Sequence, residues 1–117
     1  MASPAAPVAR RREPGARGRL RIADRVYARI ADRAAREALT DAWSGRTERG
    51  GPPKVSVATR GTTVSVRVAV DLPFPADLAA LARAVRERIV AQVGGLTGTR
   101  VAEVVVVVEH LITGGAA

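Results

Sequence analysis

Cysteine is absent from the 117-residue chain, which excludes disulfides, thiol catalysis and cysteine-bound metals. Histidine occurs once, as His110, so no site needing two imidazoles can form within one chain. Aromatic residues are scarce: Tyr27, Trp43 and Phe74 are the only three. The core must therefore be made of Val, Leu, Ile and Ala. Such side chains fill a thin layer well but build few deep pockets, which argues against a large ligand cavity. No apolar run is longer than five residues, as at Val104–Val108. That is far short of the ~18 residues of a membrane span. The N-terminal MASPAAPVARRREPGARGR has no apolar stretch after its arginines and does not read as a signal peptide. A cytoplasmic protein is expected.

Basic charge is plentiful. The net charge is +8, carried by arginine apart from the single Lys54. It is also uneven. Arg10, Arg11, Arg12, Arg17, Arg19 and Arg21 face only Glu13 in residues 1–21, a net of +5, and the remaining +3 is spread over residues 22–117. Residues 1–17 contain Pro4, Pro7, Pro14 and Gly15 without apolar periodicity, so ordering them would bring no burial to offset the entropy. They read as a disordered basic arm. It is either a solvated tail or a contact for nucleic acid or anionic lipid.

One domain is expected over residues 18–112, with residues 113–117 frayed. GRLRI (18–22) can form a short strand. A helix follows from about Asp24, with Ile22, Val26, Ile30 and Ala34 stepping by four and Tyr27, Ala31, Ala35 and Ala38 widening the stripe. Arg25, Arg29, Arg33 and Arg36 form a second stripe, either a solvated face or a basic ridge for an acidic partner, with Asp32 placed to pair within it. The glycines and prolines of 39–54 predict a long loop, in which Trp43 either folds back over a helix end as a packing anchor or stands exposed for a partner. KVSVA (54–58) and TVSVRVAVDL (63–72) predict an antiparallel hairpin turning at Arg60-Gly61. In its second strand Val64, Val66, Val68, Val70 and Leu72 share one face. A second helix is expected after Pro75 and Asp77, burying Leu78, Leu81, Ala82, Val85, Ile89 and Val93 and ending at Gly94-Gly95, with Leu96 folded back. The last strand, about 100–110, places Val104, Val106 and Val108 on the helix-covered face. Val105 and Val107 then fall on the other face, which is either a mildly apolar open face or one covered by a partner or second copy.

No residue set reads as catalytic, cofactor-binding or metal-binding. GLTG (95–98) fits the GxxG pattern of RNA-clamping loops, but it follows a helix C-terminus, whose partial negative charge repels phosphate. GARG (15–18) reads as linker. Glu109 and His110 are strand neighbours expected to point to opposite faces, so no dyad is expected. Asp71 and Asp77 flank a proline turn and read as turn and cap residues.

In order and spacing, four stretches resemble the alkaline shock protein family of Gram-positive bacteria. They are GRLRIADRVYARIADRAAREA (18–38), KVSVATRGTTVSVRVAVDL (54–72), DLAALARAVRERIVAQVGGLTG (77–98) and RVAEVVVVVEHL (100–111). Ala23 stands where that family often has Ser, and the loop at 39–53 is longer and more basic. The resemblance implies a non-enzymatic envelope stress response protein without a cofactor. Such a protein self-associates and serves cell-envelope homeostasis at the inner face of the membrane, recruited by a small membrane-anchored partner protein.

The expected fold is α+β, in the order β-α-β-β-α-β. One mostly antiparallel sheet of three or four strands carries both helices on one face, with a crossover from 63–72 to 100–110. The expected interaction residues are Val105 and Val107 on the sheet, with Arg25, Arg29, Arg33 and Arg36 on the first helix. The competing expectation is a nucleic-acid-binding protein that uses the arginine-rich arm and the helix stripe.

Overall fold

The structure is a computed structural model that describes residues 21–113. The expected arm (1–17) and residues 114–117 lie outside the described residues. Of the expected first strand only Arg21 and Ile22 are described. Neither is in a strand, and Ile22 packs against the core. The described order is α1 (Asp24–Ala42), β1 (Lys54–Arg60), β2 (Thr63–Phe74), α2 (Leu78–Thr97) and β3 (Arg100–Thr113). The fold is α+β, with both helices on one face of a three-stranded sheet.

The strand order is β1-β2-β3. The hairpin pairs antiparallel, with Lys54 opposite Ala69 and Arg60 opposite Thr63. The crossover through α2 sets β3 parallel to β2. The parallel ladder is the longer one, so the sheet is mixed rather than mostly antiparallel.

Alternation in β2 decides the layering. Val64, Val66, Val68, Val70 and Leu72 are all buried in one cluster with both helices. Fully burying each contributes about 1.5–3 kcal/mol. Helix α1 meets them with Tyr27, Ala31, Ala34, Ala35, Ala38 and Leu39, and α2 with Val85, Ile89 and Val93. The Tyr27 hydroxyl and the Thr99 Oγ1 share a hydrogen bond of 2.7 Å, which fixes α1 to the start of β3.

The helix ends follow local chemistry. Ala23 caps α1 with no side-chain bond, as expected of an alanine in that place, and Asp24 lies in the first turn. The Thr59 hydroxyl donates to Asp24 Oδ1 at 3.2 Å, which ties that turn to β1. Trp43 ends α1, buried at 5 % exposure, with its N–H donating to the Leu39 carbonyl. Asp77 caps α2 by accepting from the Ala80 N–H at 3.1 Å.

The end of α2 departs from expectation. The helix runs through Gly94-Gly95 and stops at Gly98, whose φ of 72° lets its N–H reach the Gly94 carbonyl at 2.8 Å. Thr97 Oγ1 donates to the Val93 carbonyl and accepts from the Thr99 N–H, finishing the turn. Leu96 therefore stays on a helical surface, 69 % exposed, instead of folding back.

Candidate interaction surface

The open face of the sheet is built in rows. Ala58, Ser65 and Glu103 form one, Ser56, Arg67 and Val105 the next, and Lys54, Ala69 and Val107 the third. Val104 and Val106 pack against the core, whereas Val105 and Val107 are half-buried and lie outside it. The expected division of the valine run therefore holds there. Val108 departs from it, being 37 % exposed.

Two irregularities shape β3. Its register with β2 shifts between Val64 and Ser65 and again between Val70 and Asp71, leaving Ala102 and Glu109 without opposite partners. The second shift puts His110, and not Glu109, opposite Asp71. His110 Nδ1 lies 2.8 Å from Asp71 Oδ1. The expectation that His110 makes no dyad is thus corrected: it has a partner, but on β2 rather than next to it in sequence. Strict alternation misses this because a bulge adds one residue to one strand only.

Asp71 is the hub of this corner. Its Oδ2 accepts from the Gly51 N–H at 2.9 Å, so the carboxylate holds the 43–53 loop onto the sheet end. Glu109 stands beside it and pairs with Lys54 at 3.4 Å. Ligand-type atoms of Asp71, Glu109 and His110 lie within 4.8 Å of one another. Burial pushes the Asp71 carboxyl up, but the Gly51 N–H and the His110 imidazole outweigh it and hold it below the usual carboxylate value. Each oxygen of Asp71 already has a donor or partner, so the corner is a clamp between loop, β2 and β3. The imidazole of this corner stays exposed to solvent beside the Asp71 carboxylate.

The arginine stripe is divided. Arg36 pairs with Asp32 at 2.8 Å, and Arg33 with Glu37 at 3.4 Å. Glu37 also accepts from Gln92 at 2.7 Å and from Arg88 at 3.0 Å, joining the two helices. The Gln92 and Arg88 bonds, in that order, lower the Glu37 pKa against the small opposing effect of burial. Arg25 and Arg29 are exposed and make no ion pair among the described residues. A shallow groove beside Glu37 is lined by Arg33, Gln92, Gly95 and Leu96 and opens widely to solvent. Its polar groups, Arg33 and Gln92, are turned onto Glu37.

The structure thus brings Val105 and Val107 onto one surface with Arg67, Lys54 and the Asp71 corner. It leaves Arg25, Arg29, Arg33 and Arg36 elsewhere, on α1. No helix among the described residues is long and apolar enough to cross a membrane. No protein-family model, curated protein or solved structure matches the chain.

Proposed function

We propose that this protein is a non-enzymatic, self-associating scaffold of the alkaline shock type. It serves the envelope stress response at the inner face of the cell membrane, where a small membrane-anchored partner recruits it. The envelope role rests on the resemblance in residues 18–111. Self-association has support of its own. Val105 and Val107 form an apolar strip on the face of the sheet away from the helices, outside the core. A strand apolar on both sides is ordinarily covered on both sides. Replacing both by glutamate tests this. Light scattering of the wild-type chain should give a mass above one protomer, and V105E/V107E should give one protomer with an unchanged circular dichroism spectrum. An unchanged mass in the variant overturns the use of this face. A pull-down from cells tests recruitment, with a small membrane-anchored protein expected in the eluate.

A second reading has one specific support: Arg25 and Arg29 present two exposed guanidinium groups one helical turn apart without ion-pair partners. Together with the basic residues of 1–21 they suit phosphate contacts. Under this reading nucleic-acid affinity falls steeply with salt, and most of it disappears when residues 1–17 are removed. Affinity indifferent to both changes removes this reading.

A further inference from the structure

Both outer strands of the sheet have a free edge among the described residues, since β1 and β3 each pair only with β2. Free edges are templates for another strand. The two edges here carry matching patterns. On β1 two cations, Lys54 and Arg60, bracket five residues. On β3 two carboxylates, Glu103 and Glu109, bracket the five valines Val104–Val108. Both spacings equal six residues. Lys54, Ser56, Ala58 and Arg60 share the open face, as do Glu103, Val105 and Val107. Glu109 reaches the same face, because it pairs with Lys54 across Ala69.

We propose that copies of this chain join head to tail, β1 of one protomer pairing with β3 of the next to extend the sheet. This rests on the self-association proposed above but places the contact at the strand edges, with Val105 and Val107 in the seam, instead of across the open face. The direction follows from geometry. Within one protomer β1 runs antiparallel to β2 and β3 parallel to it, so β1 and β3 are antiparallel. Keeping all helices on one side of a continued sheet makes the new pair antiparallel as well.

One register then satisfies every position. Arg60 opposes the neighbour's Glu103, and Lys54 opposes its Glu109. Ala58 and Ser56 meet Val105 and Val107 on the open face. Val57 and Val55 meet Val106 and the 37 %-exposed Val108 on the helix side. A shift of one residue would put core-side valines against open-face residues along the whole pair. Arg60 and Glu103 have no ion pair within their own chain among the described residues. Glu109 Oε1 takes its own Lys54, leaving Oε2 for the neighbour.

The alternative pairing of two β3 edges about a two-fold is disfavoured by charge. Centred on Val106, it sets Glu103 directly against Glu109 of the other copy, and like charges directly opposite are destabilising. An interface between different edges does not close on itself in a pair. It gives rings or open chains, so mass should rise with concentration beyond that of a dimer.

The full-length chain tests this by charge reversal and by cross-linking. R60E or E103R alone should raise the concentration at which mass climbs in light scattering by about tenfold or more, equivalent to about 1.4 kcal/mol. R60E/E103R in one chain should restore assembly, as should an equimolar mixture of the two single variants. The chain has no cysteine, so single thiols report cleanly. A58C mixed with V105C, one of them tagged, should give a covalent heterodimer with a short bis-maleimide, and V105C alone should give none. A covalent V105C homodimer without the heterodimer overturns the edge pairing but leaves self-association standing. Failure of R60E/E103R to recover where the single variants weakened assembly also overturns it. A wild-type mass of one protomer at every concentration overturns both this proposal and the self-association beneath it.

Discussion

The two faces of the sheet are made by the same three strands and obey different rules. On the helix side β2 alternates without exception, and every second residue from Val64 to Leu72 is buried. On the open side the same strand carries Ser65, Arg67, Ala69 and Asp71, and what holds that side is polar contact at one corner. Volume and apolar area govern the first face. Partner geometry governs the second, so a substitution there should alter association or loop position before it alters folding.

The comparison is broken most strongly from the helix side. Ile89→Ala or Leu72→Ala removes a fully buried side chain from the layer between helices and sheet and should destabilise by about 2–5 kcal/mol in urea unfolding. A loss under 1 kcal/mol would mean that the layer collapses around the cavity.

The corner comes next. A Cβ on Gly50 would lie 2.7 Å from Asp71 Cβ and 2.9 Å from the Trp43 ring, so Gly50→Ala should cost about 1–3 kcal/mol. Gly51→Ala, which meets only the Asp71 Oδ2 at 3.3 Å, should cost less. The same denaturation series separates the two.

Acidification sharpens the difference between the polar contacts and the core. Asp71 and Glu37 both lie below the ordinary carboxylate value. Each therefore adds stability that is present above the unfolded-state pKa, about 4, and is lost as pH falls through the lowered folded value. Asp71→Asn and Glu37→Gln should each flatten the fall of stability below about pH 4, measured as the urea midpoint against pH. A pH profile identical to wild type in both would show that these contacts add nothing net.

The smallest effect belongs to the exposed arginines. Arg25→Gln and Arg29→Gln should change stability by no more than about 0.5 kcal/mol. A larger loss would give these two arginines a structural part that their lack of ion pairs among the described residues does not suggest.

How much of this was legible in the sequence depends on which residues carried the signal. The valines of β2 and the Val85, Ile89 and Val93 steps of α2 announce a core face, because burial imposes their period directly. On α1 the buried stripe is Tyr27, Ala31, Ala34, Ala35 and Ala38, and Val26 of the i, i+4 series stands 41 % exposed. Asp77 announces a helix start through capping chemistry, and Asp24 through the preference for an acid in the first turn. Gly94, Gly95 and Gly98 all fit a helix end, and only the left-handed φ at Gly98 separates them. The His110–Asp71 contact was not legible. It depends on a bulge at Glu109, and a bulge changes which residues oppose each other without altering the apolar pattern. The sites differ in the same way: Val105 and Val107 stand out as a break in alternation, whereas the Asp71 clamp spans 39 residues of sequence to His110 and 20 to Gly51.

The position of Trp43 has an optical consequence. It is the only tryptophan in the chain, buried at the end of α1, and its ring and the Asp71 side chain both crowd Gly50. Its emission therefore reports the seating of the 43–53 loop without any label. An Asp71→Asn variant whose spectrum shifts to the red while its far-ultraviolet dichroism stays constant would have lifted the loop and left the fold intact.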